Sequence, residues 1–180
     1  MTAPHVRRSA RERALQLLFY LEMNPSEQVE TAVRQFWEQQ ATLGPGDRLG
    51  SPVAPVSGHD PALQTPEGER LRAFATRLTE GVLRHREALD ARLAGYLRNW
   101  SLERLGGVER NVLRLALYEL FYEQDVPPVV CINEAVDLAK YFSATGAGRF
   151  VNGILDRARK EVSRDPRLNP PWRGTGVSRP

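Results

Sequence analysis

Residues 108–122 read VERNVLRLALYELFY, and this stretch decides the fold class. Its apolar residues Val108, Val112, Leu113, Leu115, Ala116, Leu117, Leu120 and Phe121 recur at helical spacing and cover most of the circumference. A helix that is apolar nearly all round is normally enclosed by others, so a central, buried helix is expected here. Gly106-Gly107 precedes it, and Asp125-Val126-Pro127-Pro128 ends it and starts the next helix.

Toward the C-terminus, Val129, Ile132, Ala135, Val136, Ala139 and Phe142 form the inward stripe of that next helix. A small, loose run, Ser143-Ala144-Thr145-Gly146-Ala147-Gly148, leads into a final helix from about Gly148 to Val162, with Val151, Ile154, Leu155, Ala158 and Val162 inward. Asn152-Gly153 is a hairpin dipeptide in a β context, but the flanking period is 3.6 and the hairpin is rejected. Toward the N-terminus, Ser101 to Leu105 reads as a short turn of helix. Leu89, Leu93 and Leu97 continue a stripe begun by Leu71, Phe74, Ala75, Leu78 and Val82, with a break near Arg86. Thr65-Pro66-Glu67 marks its start, a cap followed by proline at the first helical position. The first helix carries Ala10, Ala14, Leu17, Leu18 and Leu21 on one face, with Ser9 or Thr2 as its cap and Asn24-Pro25 as its stop. A second helix is expected from Ser26, its N-cap, to about Ala41, with Val29, Val33, Phe36 and Trp37 inward.

Two segments lack any apolar period. Residues 43–65, with Gly44-Pro45-Gly46, Pro52, Pro55, Gly58 and Pro61, are expected to form a mobile loop. Residues 164–180, with Pro166, Pro170, Pro171, Gly174 and Gly176, are expected to be a disordered tail, basic through Arg164, Arg167, Arg173 and Arg179. The fold class is therefore all-α, about seven helices, with no βαβ pattern.

The 180 residues suffice for one domain or two small subdomains sharing a core. Hydrophobic residues at 41% and charged residues at 26% fit a globular chain and exclude a wholly disordered one. No apolar run is long enough for a membrane span, and the Arg-rich start has no signal-peptide core, so a cytoplasmic protein is the default. The net charge of +3 is mild, so any binding role depends on where charges cluster. All but two of the 25 basic residues are arginine. Codon bias explains that ratio more simply than phosphate recognition does.

No catalytic constellation emerges. Glycine-rich phosphate loops, HExxH and EF-hand patterns are missing, and His5, His59 and His85 are not paired at ligand spacing, so neither metal nor cofactor is expected. Cys131, the single cysteine, excludes an intrachain disulfide; pairing with His85 would make it a nucleophile, but its apolar neighbours suit a small buried thiol. Glu134 and Asp137, one helical turn apart, read as a solvated face or capping pair rather than an acid–base pair.

Two clusters bear on binding. On a helical wheel Arg7, Arg8 and Arg11 share one arc of about 100°. They suit either phosphate tracking and base stacking or a solvated helix end. Phe19 lies beside that arc and off the Leu17–Leu21 stripe, which fits packing on a neighbouring helix or an exposed partner anchor. At the last helix, Arg149, Phe150 and Asn152 stand where unpaired N–H groups attract anions, though taken alone they are better explained by capping and packing.

Four blocks carry a resemblance: Arg7-Arg8-Ser9-Ala10-Arg11-Glu12 with Ala14-Leu15-Gln16; Val108-Glu109-Arg110 with Leu113 to Leu120; Val126-Pro127 with Ile132-Asn133-Glu134-Ala135-Val136-Asp137-Leu138-Ala139-Lys140; and Arg149-Phe150-Val151-Asn152-Gly153-Ile154-Leu155-Asp156. In this order they resemble the NusB family of transcription antitermination factors. The resemblance implies two packed helical subdomains, about 1–98 and 99–163, and no catalysis. It implies binding of boxA in ribosomal-RNA leader transcripts together with NusE, a small-subunit ribosomal protein, and action on RNA polymerase with the other Nus factors. Some relatives self-associate, so a homodimer is a further expectation. Carried over by residue, it puts Arg7, Arg8, Arg11, Gln16, Arg149, Phe150 and Asn152 toward RNA, and Phe19 and Glu109 toward NusE. The same domain fronts a family of ribosomal-RNA cytosine methyltransferases, and a stand-alone relative of that domain is one alternative; a helical protein-interaction adaptor without RNA binding is the other. Two departures stand out. Thr145-Gly146-Ala147-Gly148 replaces the acidic or hydroxyl residues often found before Arg149, and the 43–65 loop and the tail have no family counterpart.

Overall fold

The computed structural model describes residues 4–25, 28–42, 65–97, 100–123 and 126–164. These form seven α-helices: α1 Pro4–Met23, α2 Val29–Thr42, α3 Pro66–Arg84, α4 Arg86–Tyr96, α5 Gly107–Tyr122, α6 Pro128–Phe142 and α7 Ala147–Arg164, with a 3-10 turn at Leu102–Arg104. The fold is all-α.

Helix α5 is the hub. Val112, Leu113, Leu115 and Leu117 are at most 1% exposed, and every residue from Asn111 to Phe121 is buried. It packs against α6 and α7 on one side and α1, α3 and α4 on the other, as its all-round apolar pattern requires. Truncating a leucine such as Leu117 to alanine here would cost about 2–5 kcal/mol. Helix α1 packs chiefly on α3, and Ala10, Ala14, Leu17 and Leu18 of α1 share the buried core with Phe74, Ala75 and Leu78 of α3. Helices α6 and α7 form the other close pair.

Local signals set the boundaries. Thr65 caps α3 by accepting from the Gly68 N–H at 3.2 Å, with Pro66 in the first turn. The α3–α4 break falls at His85, whose Nδ1 lies 2.9 Å from the Gly81 carbonyl oxygen and whose ring stacks on Tyr122 at 4.1 Å. Before α7, Gly146 takes φ +96°, a left-handed conformation that favours glycine.

Several expectations need correction. Helix α1 starts at Pro4, so Ser9 lies inside it and does not cap it; Thr2 is outside the described residues. Helix α2 begins at Val29, and Ser26 also falls outside the described residues. Val29 and Val129 were expected inward, but are 37% and 57% exposed. Both stand in the first turn of their helices, at the very end of the buried stripe. Arg164, expected in the tail, closes α7. The expected loop (apart from Thr65) and the tail beyond Arg164 lie outside the described residues.

Candidate nucleic-acid interface

Helix α1 contributes guanidinium groups to two environments. Arg11 is 2% exposed, and its Nε donates to both carboxylate oxygens of Glu119 at 3.0 and 2.9 Å while Nη2 donates to Oε1 at 2.8 Å. Burial alone would lower the Arg11 pKa; the hydrogen bond and charge of Glu119 outweigh it and hold the guanidinium above its ordinary range. Arg11 is therefore a tie between α1 and α5, and not a surface ligand as the arc on the wheel suggested. Gln16 is buried as well, accepting from Arg13 at 3.4 Å, with no hydrogen-bond partner for its Nε2 among the described residues.

The outward arginines differ. The Arg8 side chain is 50% exposed and meets Glu12 and Asp137 only at 3.6 Å. Arg7 is half-buried, with its guanidinium 5.6 Å from the Phe74 ring centroid, a cation–π contact. Across α6 the charges continue. Asp137 pairs with Lys140 at 3.4 Å, and Lys140 lies along α7: a Cβ on Gly148 would come within 2.8 Å of its Cγ. The next residue, Arg149, is exposed and makes no ion pair with a described residue. Asn152 is exposed and Phe150 half-buried on the same first turns of α7. Arg8 and Lys140 thus share Asp137, Lys140 reaches the start of α7, and Arg149 follows there in sequence; Glu12 and Asp137 are the carboxylates beside Arg8. Lys140 and Asp137 were missed as binding candidates; the Lys140-to-Gly148 fit is a tertiary contact with no sequence signal.

At the other end of α1, Phe19 is half-buried and leans on the entry to α5, where a Cβ on Gly107 would approach its ring to 3.0 Å. The close approach favours glycine there. Glu109 stands in the first turn of α5 and accepts from the Ser143 hydroxyl. Both partner candidates therefore flank the Gly106-Gly107 turn. Arg8, Glu12 and Phe19 fall within about 40° on the α1 wheel, so both candidate surfaces share one face of that helix.

The nucleophile reading fails. Cys131 is fully buried against the Val126 carbonyl, and burial pushes its thiol well above the usual range. His85 is occupied with Gly81, Tyr118 and Tyr122. Among the described residues no helix is long and apolar enough to cross a membrane.

The pattern that defines the NusB family matches residues 8–160. This chain belongs to the NusB family. It is 37% identical over 159 residues to the transcription antitermination protein NusB of Desulfitobacterium hafniense strain DSM 10664, covering 88% of this chain and 90% of that protein. It is 36% identical to NusB of Bacillus velezensis over 87% of this chain and 97% of that one. The structure of T. maritima NusB superposes with a TM-score of 0.66 at 32% identity, covering 89% of this chain and 94% of that chain. A crystal structure of antitermination factors NusB and NusE in complex with double-stranded RNA gives 0.66 at 25% identity, over 88% and 99% of the two chains. Among NusB proteins, then, this chain keeps the family's fold across nearly its whole described length.

Proposed function

We propose that the chain is a non-enzymatic transcription antitermination factor that binds boxA RNA together with NusE and helps RNA polymerase, with the other Nus factors, to read through terminators. It works in the cytoplasm, where the transcript is made. The observation that carries this reading is the exposure of Arg8 at the start of α1, Lys140 on α6 and Arg149 at the start of α7 on a member of the NusB family. Guanidinium and ammonium groups spaced across two helix ends follow a single-stranded backbone, while Phe150 and Asn152 stand beside them to meet exposed bases. Arg7 adds charge at the α1 end. Arg11 and Gln16 support the surface from beneath. Phe19 and Glu109 serve NusE, so the N-terminal subdomain, about 1–98, and the C-terminal one, about 99–163, both contribute to both partners.

The test is a mobility shift on boxA RNA and on a scrambled sequence, with and without NusE. The expected result is selective binding of boxA, strengthened by NusE through coupled binding. Equal binding of both RNAs would favour a helical adaptor with solubilising arginines.

A further inference from the structure

Between the 3-10 turn, the start of α5 and the loop before α7 lies a groove of about 230 Å³. Trp100, Arg104, Glu109, Thr145, Gly146 and Phe150 are among its lining residues. Trp100 is 58% exposed. An exposed aromatic alone needs no explanation, but this one shares a concavity with a second aromatic, a cation and a carboxylate. The Ser143 hydroxyl holds the Glu109 carboxylate. A side chain on Gly106 would strike that carboxylate, so the turn leaves it room. The acceptor is thus fixed before any ligand arrives. The volume falls below the roughly 300–1,000 Å³ of sites for drug-sized molecules and suits a single planar ring.

Aromatic walls, a preset acceptor and an arginine at the rim make up the chemistry that recognises an unstacked nucleobase. Phe150, which lines the groove, follows Arg149 in the first turn of α7. We infer that this groove receives one splayed-out base of the bound RNA, an amino-bearing base whose exocyclic amine donates to Glu109, with Trp100 as the principal stacking residue. The inference rests on the RNA-binding reading above, adds Trp100 and Arg104 to it, and gives Glu109, placed toward NusE there, a contact to RNA as well, at the edge where the two partners would meet. A partner-protein side chain is the rival occupant. The exposed Arg104 in its lining and the exposed Arg149 next to Phe150 favour a polyanion.

The test titrates a fluorescently labelled boxA oligonucleotide with the full-length chain and with Trp100→Ala, Trp100→Phe, Glu109→Gln and Arg8→Ala, checking each fold by circular dichroism. The same RNA is also made abasic at one position at a time. Trp100→Ala is expected to weaken binding about 5- to 150-fold and Trp100→Phe to retain most of the affinity. One abasic position should erase the difference between wild type and Trp100→Ala. At that position Glu109→Gln should lose discrimination against uracil. If Trp100→Ala perturbs the fold, the abasic scan repeated with Trp100→Phe and Glu109→Gln decides, and no position-specific effect overturns the inference. Wild-type affinity in Trp100→Ala alongside weakened Arg8→Ala would overturn the groove assignment while leaving RNA binding intact. No boxA preference in the wild-type chain would instead remove the underlying reading. Loss of NusE binding with RNA affinity unchanged in Trp100→Ala would make the groove a protein socket and overturn the inference.

Discussion

On the inner side of α1 the Arg11 guanidinium is 2% exposed and grips Glu119 through three hydrogen bonds of 2.8–3.0 Å, whereas three residues earlier Arg8 keeps half its side chain in water and meets carboxylates only at 3.6 Å. The two share a residue type, a helix and a block of sequence. What separates them is the carboxylate each one meets. A bidentate pair removed from water is released only by leaving a buried charge uncompensated. Loose, hydrated contacts at the surface are worth little and exchange readily for phosphate. The same side chain therefore holds the fold on one flank of the helix and stays available on the other.

The comparison breaks first at Arg11. Arg11→Ala strands the Glu119 carboxylate and is expected to cost about 3–5 kcal/mol in urea denaturation; a loss well under 1 kcal/mol would mean the pair is dispensable. Phe19→Asp probes the far end of the outer face. NusE affinity should drop roughly 30-fold or more with the helical spectrum unchanged, while unfolding would show that the ring belongs to the core. Combining Arg7→Ala with Arg8→Ala sharpens the contrast from the surface side. RNA binding should weaken and its log–log salt slope flatten by about 1.4, at ~0.7 per phosphate contact on a single strand. A wild-type slope in the double variant would sink the role of both residues. The smallest effect is a gain: Asp137→Asn releases Lys140 and leaves Arg8 with Glu12 alone, and should tighten RNA binding by up to about fivefold, read in the same titration.

Much of the fold was legible because its signals are local. The all-round apolar α5, the Thr65-Pro66 cap and the interruption before Arg86 each depend on residues within one or two turns. The candidate site was legible only in outline. Nothing near Arg11 announces Glu119, which lies 108 residues away; a wheel drawn for α1 alone places Arg11 with Arg7 and Arg8 because it omits the helix that covers it. Lys140 escaped notice for the converse reason, since its value as a link depends on Gly148 letting its stem lie flat on α7. Trp100 carried no period at all, being outside any α-helix.

The shared face of α1 has a mechanical consequence. Phe19 lies eleven positions after Arg8, about 16 Å of helical rise, so under the proposed assignment the spacing between transcript and protein partner is set by a stiff ruler rather than a hinge. One residue inserted at its midpoint would swing the two ends apart by about 100°, uncoupling the assembly although every contact group was still in place.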